Sequence, residues 1–381
     1  QKPLEFRRYD LPFPERQASF GVGDVDGDGQ PDVVTGGGER WDKKANRSIL
    51  FPRRLLINRG GAKFEDATER LGFTSKRYGR SVVFCDFNDD GRPDFFVGNY
   101  RLAPNELWVA GRDGIREEAE SRDCRGLLHT FQGSPAYFGH TIGASWADLD
   151  NDGWIDLWVS NLVHKYVGPT NHPAFPDGKD MRGEICDDSN LYRNTGSPQH
   201  RFEDQRLSSG IPLKPKGARG VFRGDELWSN CACADFDNDG DLDVFVTQVY
   251  TLPYAGSRLY RNLGGFKFEE ADPGFRIFAS YGAAWADVDG DGDLDLIAGG
   301  ALGKPEGPKA VRLWRNIGEP GRWIAFRLEK PMLGVVVRLI TDRGVLTRQS
   351  EACMGSHTQK NTGLLHFGLG DREIKEVRIT W

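Results

Sequence analysis

At 381 residues the chain is long enough for one large domain, or for a large domain followed by a small one. Its 48 Gly, 20 Pro and ten Trp favour short strands and tight turns over helices, and no apolar run reaches the roughly 18 residues of a membrane-spanning helix. The formal charge of −6 argues only superficially against a nucleic-acid binder, and it is the lack of a basic stripe with interleaved aromatics that speaks against one.

The chain opens at Gln1 without a basic and apolar leader, so the protein is either not exported or has lost its leader. The first strong signal is DVDGDGQPD from Asp24, and the same nine-residue string returns four times: DFNDDGRPD from Asp86, DLDNDGWID from Asp148, DFDNDGDLD from Asp235 and DVDGDGDLD from Asp287. The starts lie 62, 62, 87 and 52 residues apart, a period that marks a propeller or solenoid. A second marker travels with each string: LLINRGGAKFED from Leu55, NLYRNTG from Asn190, RLYRNLGGFKFEE from Arg258 and RLWRNIG from Arg312, with a degenerate NELWVAGRDG from Asn105.

Each string sits between two apolar or small-residue runs, such as SVVFC and DFFVGN around the Asp86 copy. Strand, loop, strand, a third strand with the Asn marker and a fourth with FxD make a four-stranded antiparallel blade. The fold class is therefore all-β, a β-propeller of four-stranded blades. Five strings give five blades; six or seven would require degenerate blades that the sequence does not display. Phe6 to Phe20 resembles the segment before Asp86 and is expected to supply the outer strand that closes the last blade. The excess length of the 87-residue interval, residues 162–189, is expected to be an insertion on one rim.

In DxDxDGxxD the side chains at the first, third, fifth and ninth positions converge, Gly at the sixth allows the sharp turn and the seventh adds a carbonyl oxygen. Such an oxygen cage suits a hard divalent ion, calcium above all. The candidate ligands are Asp24, Asp26, Asp28 and Asp32; Asp86, Asn88, Asp90 and Asp94; Asp148, Asp150, Asp152 and Asp156; Asp235, Asp237, Asp239 and Asp243; and Asp287, Asp289, Asp291 and Asp295. Backbone oxygens come from Gln30, Arg92, Trp154, Asp241 and Asp293. About five Ca2+ ions are expected. An EF-hand array is excluded, because it needs Glu at position 12, where Thr35, Val97, Val159, Val246 and Ala298 stand.

These strings resemble the FG-GAP or VCBS repeat family, whose members build calcium-bearing propellers, over roughly Phe20 to Asn316. The tail resembles the ASPIC/UnbV domain that follows such propellers in cartilage acidic protein-like proteins and their bacterial relatives, through WIAFRLE from Trp323, Gly355 and Ser356, LHFGLGD from Leu365 and EVRITW at the end. The resemblance implies a propeller over residues 1–318 and a small β-sandwich over 319–381. The stretch after Leu328 lacks the polar segment of that family, and the chain stops where the family continues, so a short or incomplete sandwich is expected.

Of the six Cys (85, 124, 186, 231, 233 and 353) none forms a CxxC pair, and Cys231 and Cys233 share one strand face, a poor geometry for a bond between them. No GxSxG, HExxH or P-loop string points to an enzyme. The alternative of a propeller-based carbohydrate-active enzyme, such as a polysaccharide lyase, rests on His164, Lys165, Tyr166 and His172 in the insertion. His140 and His366 read as structural. The favoured reading is a secreted, calcium-stabilised binding or scaffold protein, extracellular or periplasmic with its signal peptide removed, engaging an extracellular protein or acidic polysaccharide. Outside the 19 loop aspartates 50 basic residues face 37 acidic ones, and five calcium ions bring the total to about +4, which suits an anionic partner.

Overall fold

The computed structural model describes residues 10–13, 15–44, 47–131, 134–162, 189–212, 228–249, 256–318, 321–328, 334–350 and 364–380. Among them there is no α-helix, only one turn of 3-10 helix at Arg206–Ser208. Four complete blades follow one another. The first is Phe20–Gly23, Asp32–Thr35, Leu55–Asn58 and Phe64–Asp66; the second is Gly79–Cys85, Asp94–Asn99, Glu106–Gly111 and Gly114–Glu117. The third is Thr141–Ala147, Asp156–Asn161, Asn190–Asn194 and Phe202–Asp204; the fourth is Trp228–Ala234, Asp243–Gln248, Arg258–Asn262 and Phe268–Ala271. All pairings are antiparallel, and each string forms the turn between the first two strands of its blade.

The fifth blade departs from the expected four strands side by side. Its central strand, Asp295–Leu302, pairs with Lys309–Trp314 on one edge, and on the other with Ile277–Phe278 and Ala283–Ala286 end to end. Between those two pieces Ser280 turns toward the fourth blade, its N–H donating to Gln248 O (3.0 Å) and its carbonyl accepting from Ser229 Oγ (2.8 Å). The closing strand expected from Phe6 to Phe20 falls largely on residues outside the described set.

The first strands of the blades contact one another in chain order, which places them around a common axis. They can approach because they are small: a Cβ on Gly21 would meet Val82 at 2.8 Å, and one on Gly23 would sit 2.3 Å from the Phe84 ring. The second strands, DFFVGN, DLWVSN and DVFVTQ, are buried along their whole length, which explains their unbroken apolar character. Between successive blades lie four apolar layers, for example Val83, Phe87 and Phe96 of the second blade against Trp146, Leu157 and Phe202 of the third. Trp146 Nε1 donates to Val83 O (3.2 Å), and Trp285 Nε1 repeats this toward Ala232 O (3.0 Å) between the fourth and fifth blades.

A polar staple joins the same blades. Asn194 Nδ2 donates to Phe87 O of the preceding blade (2.9 Å), Asn262 to Leu149 O (2.8 Å) and Asn316 to Phe236 O (2.8 Å). The marker Asn of the third, fourth and fifth blades thus holds the second-position carbonyl of the loop before it. Asn58 of the first blade donates instead to Pro31 O in its own loop (3.1 Å). The outer faces of the first and fifth blades leave Phe20, Leu313 and Val311 exposed at 49%, 51% and 75%, so the described residues show no packed layer between them.

After the blades, Trp323–Arg327 pairs with Leu364–Gly368, and Gly344–Gln349, Val336–Thr341 and Ile374–Thr380 form a three-stranded sheet in that order. The two sheets share a core of Val335, Val337, Leu339, Leu346, Leu365, Phe367 and Leu369. Two hairpins that the sequence did not announce, Gly38–Asp42 with Arg47–Phe51 and His129–Phe131 with Ser134–Tyr137, decorate the blade ends away from the loops. Cys85, Cys124, Cys231 and Cys233 are buried; Cys186 and Cys353 lie outside the described residues, as do 163–188 of the expected insertion.

Asn262→Ala strips a donor from two buried carbonyls, Leu149 O and Leu242 O, and should cost about 3 kcal/mol, whereas Asn58→Ala, whose amide donates a single exposed bond, should cost about 1 kcal/mol. Urea denaturation of the two variants checks this, and equal losses would remove the staple's role.

Candidate metal centres

The nine-residue turns are held open by their own backbone. The first-position carboxylate accepts the N–H of the glycine five residues on: Gly29 to Asp24 (2.7 Å), Gly91 to Asp86 (2.8 Å), Gly153 to Asp148 (3.2 Å), Gly240 to Asp235 (2.9 Å) and Gly292 to Asp287 (3.1 Å). Those glycines have φ between 81° and 97°, a left-handed conformation that side chains disfavour. The fifth-position carboxylate accepts the N–H two residues on, from Gln30, Arg92, Trp154, Asp241 and Asp293, at 2.8 to 3.0 Å. This leaves the carbonyls of those seventh-position residues outside the turn's own bonds.

The ninth-position carboxylate does more than the sequence suggested. One oxygen of Asp156 accepts Leu149 N–H and the other Asn194 N–H, each at 2.8 Å. Asp32, Asp243 and Asp295 repeat this pattern with the N–H groups of their own second-position and marker residues, and Asp94 accepts Ala110 N–H (2.8 Å). The loop, the second strand and the third strand therefore meet on one buried carboxylate.

In four of the five turns three carboxylates bring oxygens within 4.8 Å of one another: Asp24, Asp26 and Asp32; Asp148, Asp150 and Asp156; Asp235, Asp237 and Asp239; Asp287, Asp289 and Asp291. The second turn is not among them, and Asn88 leaves it one acid short. Burial pushes Asp86 and Asp32 up to about 6 and Asp235 to about 7, with neighbouring aspartates adding to the rise. Burial drives Asp94, Asp148, Asp156 and Asp243 well above the usual carboxylate range. Buried oxygens without a partner among the described residues include Asp148 Oδ1, Asp150 Oδ1, Asp235 Oδ1 and Asp94 Oδ2. Orphaned buried anions of this kind cost several kcal/mol unless a cation meets them. The clusters could hold metal ions, and an all-oxygen donor set is compatible with calcium.

Part of the charge is met by arginines of the third strand, which sequence reasoning overlooked although an Arg adjoins the marker Asn in four copies. Arg193 reaches Asp150 (2.6 Å) and Asp152 (2.7 Å), Arg59 reaches Asp26 (2.8 Å), and Arg315 pairs with Asp289 and reaches Asp291 (3.4 Å). The Arg261 charge acts on Asp237 in the same sense. The second blade has no such residue; its Asp89 meets Arg338 of the C-terminal sheets (3.0 Å).

Those sheets sit on the loop rim. Val345 N–H donates to Asn151 O (3.3 Å), Thr347 Oγ1 to Gly153 O (3.3 Å), Gly370 N–H to Asn238 O (2.8 Å) and Cys85 Sγ to Gln349 Oε1 (2.8 Å), while Arg372 pairs with Asp241 (2.9 Å). Buried Arg348 contributes positive charge near Asp148 and Asp235. His366 Nε2 lies 2.9 Å from Gly292 O, burial holds the imidazole down at about 4, and a neutral ring donating from Nε2 follows. His140 is buried and its Nδ1 accepts Arg101 N–H (3.2 Å). Both histidines are structural, as expected; His164, Lys165, Tyr166 and His172 lie outside the described residues.

A family model for the FG-GAP-like repeat matches residues 24–97 and 235–298, which hold the first, second, fourth and fifth turns. The chain carries FG-GAP-like repeats. It is similar to cartilage acidic protein 1 of Mus musculus, with 26% identity across 83% of this chain and 53% of the relative. The Homo sapiens protein of that name is 25% identical over 87% of this chain and 45% of its own length. This FG-GAP-like chain thus spans about half the length of the curated relatives it matches. Among solved structures, a rhamnogalacturonan lyase covers 89% of this chain and 64% of its own at 13% identity, with a TM-score of 0.33.

The raised carboxylates set a pH dependence. With folded values of about 6 to 7 against 3.8 when unfolded, the ion-free fold holds protons that the unfolded chain releases, so these groups stabilise it at acid pH and cease to do so as pH rises through 6 to 7. A divalent ion replaces those protons, so its affinity rises over the same window. In chelator the melting temperature should be higher near pH 5.5 than near pH 7.5, and added calcium should reverse the order. An ion-free chain that gains stability through pH 6 to 7 would contradict the assignment.

Proposed function

We propose that this chain is a calcium-stabilised binding or scaffold protein of the extracellular or periplasmic space. The observation that carries the reading is the set of buried, mutually close and partly orphaned loop carboxylates, above all Asp148 and Asp235. In each turn the ion would take the side chains of the first, third, fifth and ninth positions and the carbonyl of the seventh, which are the residues named from the sequence, with Asn88 serving as a neutral ligand in the second turn. About five ions follow. Extracellular calcium is near the millimolar level at which even weak oxygen sites fill, which supports an exported protein. The likeness to cartilage acidic protein 1 supports the same location, and the partner in this reading is an extracellular protein or acidic polysaccharide.

Residues 1–318 form the propeller in this reading, and 319–381 form an ASPIC/UnbV-like β-domain seated on its loops. Calcium acts here through folding. An ion that binds only the folded state adds RT ln(1 + [L]/Kd), roughly 2.7 kcal/mol per site at a hundredfold excess over Kd. Five sites contribute on the order of 10 kcal/mol, comparable to the net stability of a typical domain.

Chelation at neutral pH should therefore lower the melting temperature by tens of degrees or unfold the chain, and Asp148→Ala or Asp235→Ala should do so in part. Differential scanning calorimetry with and without chelator checks this; melting within a few degrees in both conditions would sink the calcium reading.

A further inference from the structure

The C-terminal sheets sit on the second to fifth turns of the loop rim, and the opposite rim is left to a ligand of the propeller. There the sequence TGGGER brings three backbone segments together. Gly36 N–H donates to Ser19 O (2.9 Å), Gly79 N–H to Gly36 O (2.7 Å) and Ala18 N–H to Gly37 O (2.8 Å). A Cβ on Gly38 would lie 2.0 Å from Arg16 O and one on Gly36 would lie 2.5 Å from Gly79 O, so glycine is what lets these segments touch. Above this junction, between the first and second blades, opens a cleft of about 560 Å³ lined by Arg16, Gln17, Gly38, Glu39, Arg40, Tyr78 and Arg80, within the usual size of a small-ligand site.

Its charge is unlike the surroundings. Neighbouring arginines are matched: Arg53 and Arg77 with Glu106, Arg54 with Glu15 and Asp66, and Arg101 with Glu39 (2.9 Å), the one acid of the cleft. Arg16, Arg40 and Arg80 have no carboxylate partner among the described residues. Arg80 is nonetheless fixed in place, its guanidinium 4.6 Å from the Tyr100 ring centre and 5.2 Å from that of Tyr78, with Nε buried and without an acceptor. Tyr100 is itself braced edge-on by Tyr78 and by His140. A guanidinium held between two aromatic rings, with Nε unspent, is preorganised for bidentate contact with a carboxylate or sulfate, and the half-buried Tyr78 that lines the same cleft offers an apolar surface to a sugar ring.

We infer that this arginine and tyrosine cleft binds an acidic polysaccharide, the anionic groups meeting Arg80, Arg40 and Arg16. The inference rests on the binding-protein reading above and gives it a site. Loaded with five ions the chain carries a charge of about +4, which favours approach of a polyanion.

Titration calorimetry in calcium, with octasaccharides of polygalacturonate (carboxylate only), dextran sulfate (sulfate only) and neutral dextran, tests it. Binding of one or both anionic probes and not of dextran, weakened at least tenfold by Arg80→Ala and in part restored by Arg80→Lys, is the expected result. Arg201→Ala, an exposed arginine on the third blade, should leave it unchanged. Should Arg80→Ala fold poorly, the paired exposed substitutions Arg16→Ala and Arg40→Ala give the same readout without touching the tyrosine stack. No binding of either anionic probe, equal loss in Arg201→Ala, or equal binding of poly-glutamate would overturn the site. Melting with and without chelator on the same samples distinguishes failure of the cleft from failure of the calcium reading.

Discussion

The structure depends on one recurring interaction, a buried carboxylate at the ninth position of each turn. Asp32, Asp94, Asp156, Asp243 and Asp295 begin the second strands, and all five are at most 1% exposed. In four of them one oxygen takes the N–H at the start of the turn and the other takes the marker Asn of the third strand. Two backbone bonds stabilise a carboxylate that desolvation otherwise penalises. That bond pair is also why the turn and the marker travel together along the sequence: neither half of a blade is held without the other.

From this anchor the blade interfaces follow. The marker Asn that gives its N–H to its own aspartate gives its side-chain amide to the preceding loop, so each turn is tied inside its blade and to its neighbour at once. The C-terminal sheets add a third attachment to the same rim. Cations suit such a junction because they act on every attachment together. The third-strand arginines, half exposed and screened by water, stabilise the outer carboxylates weakly and leave the buried oxygens of Asp148 and Asp235 unmet.

The two ends of the blades consequently differ in kind. The turn end repeats with little variation, since the geometry of the carboxylate cage admits little. The other end carries the hairpins Gly38–Asp42 with Arg47–Phe51 and His129–Phe131 with Ser134–Tyr137, together with the glycine junction at Gly36 to Gly38. Loops free of the repeat are where binding chemistry can vary on a fixed scaffold.

The blade pattern and the turns were legible in the sequence because both are local: a strand's alternation and a nine-residue turn are set by residues a few positions apart. His140, on the entry to a strand, and His366, within the HFGLG string, were likewise read from their immediate neighbours in the chain, and both are buried and hydrogen-bonded. What the sequence could not display involves partners far apart in the chain. The Asn262 staple reaches Leu149, 113 residues away, and Cys85 meets Gln349 at a separation of 264. The two short strands at Ile277 and Ala283 share one edge because Ser280 bonds to the fourth blade, and the RN pair of the marker became a charge partner only once the third strand lay beside the turn. Sequence alone determined the repeating unit and where its aspartates recur; tertiary structure decided which of their oxygens are buried without a partner, because burial and pairing are properties of neighbours that folding brings together.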